Sequence, residues 1–287
     1  MQKFALLLLT LIVLTAYKTD KPAYRLYASD GKPVKYQKMM KELANADVIF
    51  FGELHDNPIA HWLQYEITRD LLETHQGNLM LGAEMFEADN QLILNEYLEG
   101  KISESSFEKE ARLWPNYKTD YKPLVQLAKD SSLHFVATNV PRRYASVVYK
   151  QGLDTLTYLS PEARSYMAPL PIAYDSTVSC YADMLTSMSG MGHANANLPK
   201  SQALKDATMA YQIAINKPDN TPFIHYNGSY HSNNDQGIIW YLNQYKPNLQ
   251  ITTLTVVLQS QTDSLTTQNT HLADYIIVVP ETMTKTY

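Results

Sequence analysis

The chain has 287 residues, of which 45% are hydrophobic and only 18% charged, and it carries a net charge of −5. That is enough apolar material for one large domain with a sizeable core, and the acidic balance without any basic run excludes nucleic acid as a partner. The single cysteine, Cys180, excludes intrachain disulfides and cysteine-based metal clusters.

The first element is a leader. Lys3 is followed by an apolar run from Phe4 to Leu14, broken only by Thr10. This reads as a secretory signal peptide over residues 1–16, cleaved after Ala16, although Leu14 is larger than the residue usual at that place. An uncleaved anchor is the alternative, but the run is short for a bilayer. No cysteine follows it, so a lipid-modified cysteine at the mature N-terminus is excluded. The expected location is therefore the periplasm or the envelope, with residues 17–287 as the exported domain.

Residues 17–45 read as a polar lead-in with one helix near Tyr36–Ala44. Asp47 to Glu53 is an apolar run ending at Gly52, the mark of a strand buried on both faces. Asn57-Pro58 then predicts a capped helix start. Asn78 to Met85 predicts a second strand, followed by a helix from Asp89 to Leu98 and a polar helical stretch to Leu113. A helix at Leu124–Lys129, a strand at Leu133–Thr138 and a helix from Pro141 come next. Residues 160–220 hold helical patterns and a Pro-rich turn but no strand, so they read as a helical insertion. Strands return at Pro222–Tyr226, Leu249–Val256 and Tyr275–Val279, with a helix at Gly237–Tyr245 after the first. The alternation predicts an α/β fold: a mostly parallel, doubly wound sheet flanked by helices, with a helical subdomain.

Ligands of such sheets bind beyond the carboxyl ends of the strands. Four segments fall there: Gly52-Glu53-Leu54-His55-Asp56, Glu84-Met85-Phe86-Glu87, Asn139-Val140-Pro141-Arg142-Arg143 and Asn227-Gly228-Ser229-Tyr230-His231. Singly, each has a structural explanation. A strand-end histidine is commonly hydrogen-bonded, Glu84 can pair with Arg143, and glycines serve turns. Together they place two histidines, several carboxylates and an arginine pair on one edge, where unpaired charge is costly. Three chemistries remain open: a divalent metal held by His55, His231 and Glu53 or Glu84; a general base acting on water; or ligand binding alone.

In order and spacing, Phe50 to Pro58, Gly82 to Glu87, Asn139 to Tyr144, Lys205 to Ala210 and Asn227 to His231 resemble the ChaN-like haem-binding family. That family lies near the Tiki metalloproteases and erythromycin esterases, whose shared pattern falls on Glu53, His55, Glu84, Arg143 and His231, the residues expected to be catalytic in a hydrolase. The resemblance implies haem as ligand, a role in haem or iron uptake, and a homodimer enclosing stacked haems whose iron is bound by a tyrosine. It also implies an outer-membrane haem receptor as partner. The matching motifs do not reach the iron ligand; Tyr166, Tyr174 and His193 in the helical block are the candidates, with Met184, Met188 and Met191 as an apolar lining.

Overall fold

The structure is a computed structural model that describes residues 21–189 and 195–287. The expected leader and His193 lie outside the described residues. Seven strands form one sheet: β1 (Arg25–Ala28), β2 (Val48–Glu53), β3 (Met80–Glu87), β4 (Phe135–Asn139), β5 (Phe223–Gly228), β6 (Ile251–Gln259) and β7 (Tyr275–Pro280). Their order across the sheet is β1-β7-β6-β2-β5-β3-β4. All neighbours run parallel except β1, which pairs antiparallel with β7. The fold is α/β, as the alternating pattern predicts. β1 is the strand the pattern misses. It is four residues long and, apart from an isolated bridge between Tyr27 and Pro33, pairs only with β7, so it carries little of the apolar signal of a central strand.

The helices are α1 (Tyr36–Leu43), α2 (Pro58–Thr74), α3 (Gln91–Leu98), α4 (Glu104–Glu110), α5 (Lys122–Asp130), α6 (Arg142–Gln151), α7 (Pro161–Ser165), α8 (Ser179–Ser189), α9 (Leu198–Asn216) and α10 (Ile238–Tyr245). Among the described residues none is long and apolar enough to cross a membrane. Residues 160–220 contribute helices and no strand among the described residues.

The continuous apolar run of β2 has a direct cause. Ile49 and Phe51 pack into one core cluster with Leu63, Ile67 and Leu71 of α2. Val48 and Phe50 pack into a second cluster with Leu204, Ala207 and Ile213 of α9 and Leu242 of α10. Successive side chains of a strand point to opposite faces, so a strand covered on both sides must be apolar at every position. Gly82 of β3 is small for the same reason, because a Cβ there would lie 2.6 Å from the Phe223 ring.

The outer edge of β4 is closed by a side chain. Gln91 Nε2 donates to Phe135 O at 2.9 Å, and Ala137 N donates to Gln91 Oε1 at 2.6 Å. The amide thus stands in for a neighbouring strand and blunts an edge that would otherwise invite pairing. Gln91→Leu leaves both backbone groups without a protein partner. It should cost about 1–3 kcal/mol in urea unfolding and speed hydrogen exchange at the Ala137 amide.

Candidate functional site

The first half of the site is the turn between β2 and α2. Asn57 caps α2 by accepting from Ala60 N, and Pro58 opens the helix, so the chain turns sharply over Leu54, His55 and Asp56. Glu53 is buried at the strand end. Its carboxylate accepts from Gln64 Nε2 and from Tyr121 OH, the latter at 2.7 Å, and lies 2.8 Å from His55 Nδ1. The His55 carbonyl accepts from Asn116 Nδ2 at 2.8 Å and faces His61 Nε2 at 3.0 Å. Asn116 also donates to Asp120, and Tyr117–Tyr121 form one turn of π-helix that carries Asp120 and Tyr121 inward. Such turns interrupt regular helices and recur at functional sites.

The second half follows β5. Gly228 N donates to Glu84 Oε2 at 2.8 Å, so the end of β5 is tied to β3. The short turn Ser229–His231 then carries His231 back over the edge. His231 Nε2 lies 3.3 Å from Glu84 Oε1, and Nδ1 lies 2.5 Å from Asp206 Oδ1. Asp206 is itself held by Tyr181 OH at 2.6 Å.

The two halves meet through their glycines. A Cβ at Gly228 would lie 2.8 Å from His55 Nε2, and a Cβ at Gly52 would lie 2.9 Å from the Ser229 Cα. Each glycine is therefore required by the other segment's approach.

Electrostatics separate the two imidazoles. Burial disfavours a charge on His231, but the Glu84 and Asp206 carboxylates outweigh it and raise its pKa to about 10. Burial also works against ionised Glu84, yet His231 and His55 hold its carboxyl well below the usual range. For His55, burial is outweighed by the hydrogen bond to Glu53 and by the charge of Glu84, so its pKa is raised. Its side chain is 36% exposed, against 8% for His231, so His55 is the reachable imidazole of the pair. His225 is the contrasting case. Burial pushes it down to about 4, and it sits between Thr138 and Asn227 as a neutral strand residue.

These groups line a cleft of about 870 Å³ at the carboxyl edge of the sheet. It holds Glu53, His55, Glu84 and His231, together with Arg142, Lys150 and Lys205. Arg143, expected in the site, does not line this cleft: it pairs with Asp89 at 2.6 Å, lies over the Tyr144 ring and lines an adjoining pocket, while its neighbour Arg142 lines both. Tyr166 and Tyr174 also lie away from the cleft lining, packed against the second core cluster, whereas Met184 lines it. Among the described residues no group of three or more His, Cys, Asp or Glu side chains is placed to hold a metal ion. The physical reason is that both ring nitrogens of His231 already face carboxylates and Glu53 is saturated by donors. The arrangement therefore gives no support to a divalent metal at His55, His231 and Glu53.

Sequence reasoning missed the supporting groups Tyr181, His61, Asn116, Asp120 and Tyr121, and it gave Asp206 no role although the residue lies in the matching segment Lys205 to Ala210. His61 was within reach: it lies on the first turns of α2, on the buried side shared with Gln64.

The His231 charge yields a pH dependence with a definite sign. A pKa raised by folding stabilises the protein fully below the unfolded value, 6.5, and that contribution is lost as pH climbs through about 10. The stability gap between wild type and His231→Gln, measured by chemical unfolding, should be largest near pH 6 and shrink toward pH 10.

Comparison with known proteins follows the same lines. The family model described as haem-binding uptake, Tiki superfamily, ChaN matches residues 39–242. Sequence comparison with curated proteins gives no match. Among solved structures, the chain is similar to ChaN of Campylobacter jejuni, described as binding haem cofacially, with a TM-score of 0.68 and 19% identity, over 89% of this chain and 96% of that one. It is also similar to a mutant erythromycin esterase in its open conformation, with a TM-score of 0.51 and 12% identity, over 90% of this chain and 98% of that one. At these identities the structural likenesses show the fold, while the family model covers most of the chain. The chain belongs to the ChaN family of haem-binding uptake proteins in the Tiki superfamily.

Proposed function

We propose that this protein is an exported haem-binding protein of haem or iron acquisition, in which two copies enclose a pair of haems stacked face to face. The observation that carries the reading is the composition of the cleft. Its volume, about 870 Å³, falls in the range of small-molecule sites, roughly 300–1,000 Å³. Leu54, Trp114, Val140 and Met184 supply apolar surface, and Arg142, Lys150 and Lys205 supply cations. None of these three cations has an ion pair among the described residues. A flat apolar macrocycle with two carboxylates fits such a lining. Membership of the ChaN family and the cofacial binding described for the Campylobacter jejuni protein support the same reading.

A phenolate oxygen suits ferric haem iron. Tyr149, Tyr230 and Tyr287 line the cleft. The Tyr230 phenol donates to the Cys180 carbonyl. The Tyr149 and Tyr287 phenols have no hydrogen-bond partner among the described residues, and Tyr149 is the more enclosed of the two, 39% exposed against 63%. We therefore assign the iron ligand to Tyr149 in preference to Tyr166, Tyr174 or His193. The apolar run at Phe4–Leu14 supports export to the periplasm or envelope, where an outer-membrane haem receptor is the natural donor or recipient.

One observation favours a second reading, a hydrolase of the esterase or peptidase kind. Glu53 orients His55 through Nδ1, which leaves Nε2 facing Gly228 in the cleft as a base for water. A single set of variants separates the two. Hemin titration should give a saturable Soret change that Tyr149→Phe abolishes and that His55→Ala and His231→Ala leave largely intact. No saturable change with folded wild-type protein contradicts haem binding. Ester or peptide hydrolysis that disappears in His55→Ala supports the second reading, and hydrolysis that survives it contradicts that reading.

A further inference from the structure

The segment after β7 reaches further than closing the sheet requires. Met283 packs against the first core cluster, and the chain then crosses the turn that carries His55. Thr286 N donates to Asp56 O at 3.0 Å. Lys285 Nζ pairs with Asp56 Oδ2 at 2.6 Å. Thr286 Oγ1 donates to Asp120 Oδ2 at 2.7 Å, the same carboxylate oxygen that accepts from Asn116. Asn116 in turn holds the His55 carbonyl. Two consecutive residues thus clamp the His55 turn directly at Asp56 and, through Asp120 and Asn116, at His55 itself.

Tyr287 follows the clamp. It lines both the main cleft and an adjoining pocket of about 590 Å³, and it shares both linings with Trp114 and Arg142. Trp114 stands edge-on to the His55 ring at 4.8 Å. The Tyr287 residue is 63% exposed, an aromatic surface at a cleft mouth with little packed over it. Covering such a face recovers apolar burial, and an aromatic partner adds to it.

We propose that residues 285–287 are part of the ligand site, with Lys285 and Thr286 positioning the His55 turn and the Tyr287 ring forming a wall for the flat face of the ligand. The inference rests on reading this cleft as the haem site. It adds a selectivity: the wall favours a ligand with a broad planar face over a small one.

The full chain tests it in two arms. In the first, hemin affinity is measured by Soret titration for wild type, Tyr287→Ala, Tyr287→Phe and Tyr287→Trp, with thermal melting as a check on folding. Tyr287→Ala should weaken binding about tenfold at an unchanged melting temperature, while the aromatic replacements stay within about twofold. An alanine variant that binds as wild type overturns the wall. So does a phenylalanine variant that loses as much as alanine, because that makes the phenol a ligand to iron. The second arm needs no haem. Lys285→Ala/Thr286→Val should accelerate amide exchange at Asn57 and His61 without affecting β6, and Lys285→Ala with Thr286→Ser should recover most of the protection. Unchanged exchange overturns the positioning role. If wild type takes up no hemin, the haem reading falls and the wall with it, and the exchange arm still decides the clamp.

Discussion

The site depends on the contact between two glycine-led turns. Gly228 lies beneath the His55 ring, and Gly52 lies against the Ser229 backbone. Any side chain at either position would force the turns apart, since real Cβ contacts do not come so close. The parallel pairing of β2 with β5 sets this up, because it places Gly52 beside Asn227 and Glu53 beside Gly228. Once the turns touch, the imidazole–carboxylate pairs they carry face one cleft. The repeated Gly-x-x-His pattern is therefore a packing requirement first, and a source of chemistry because of it.

That contact brings charge together in a buried place, and charge without partners is costly there. The structure answers with pairing. Glu53 meets His55, Gln64 and Tyr121, while Glu84 and Asp206 enclose His231. The cluster largely satisfies itself, so a ligand need not neutralise it. Arg142 and Lys150 on α6 and Lys205 on α9, whose charge also favours ionised Glu84, have no ion pair among the described residues, and they are the groups an anionic ligand would meet. This division leaves one wall of the cleft self-paired and the other with charge to offer a ligand.

Much of the architecture is legible in the sequence, for a physical reason. Six strands are buried on both faces or nearly so, and each appears as a short, largely apolar or β-branched segment between turn residues. β1 is short, at the margin, and carries no such run. Glu53, His55, Glu84 and His231 are legible because they follow strands directly. Asp206 and Tyr181 are not, because they come from helices and reach His231 only through tertiary packing. Arg142 and Arg143 show the limit most sharply. They are adjacent in sequence, yet one helical step of about 100° sends Arg142 to the cleft and Arg143 to Asp89. With 21 tyrosines and no spacing rule, no pattern singles out Tyr149; its place on the cleft lining with a free phenol, more enclosed than that of Tyr287, emerges only from the fold.

The most direct test of the account is where haem sits. Ferric haem broadens nearby amide signals in nuclear magnetic resonance spectra. Loading the protein with hemin should broaden residues 54–56, 142–149 and 228–231 while leaving α7 and its neighbourhood sharp. Broadening centred on Tyr166 and Tyr174, with the two Gly-x-x-His turns unaffected, would contradict it.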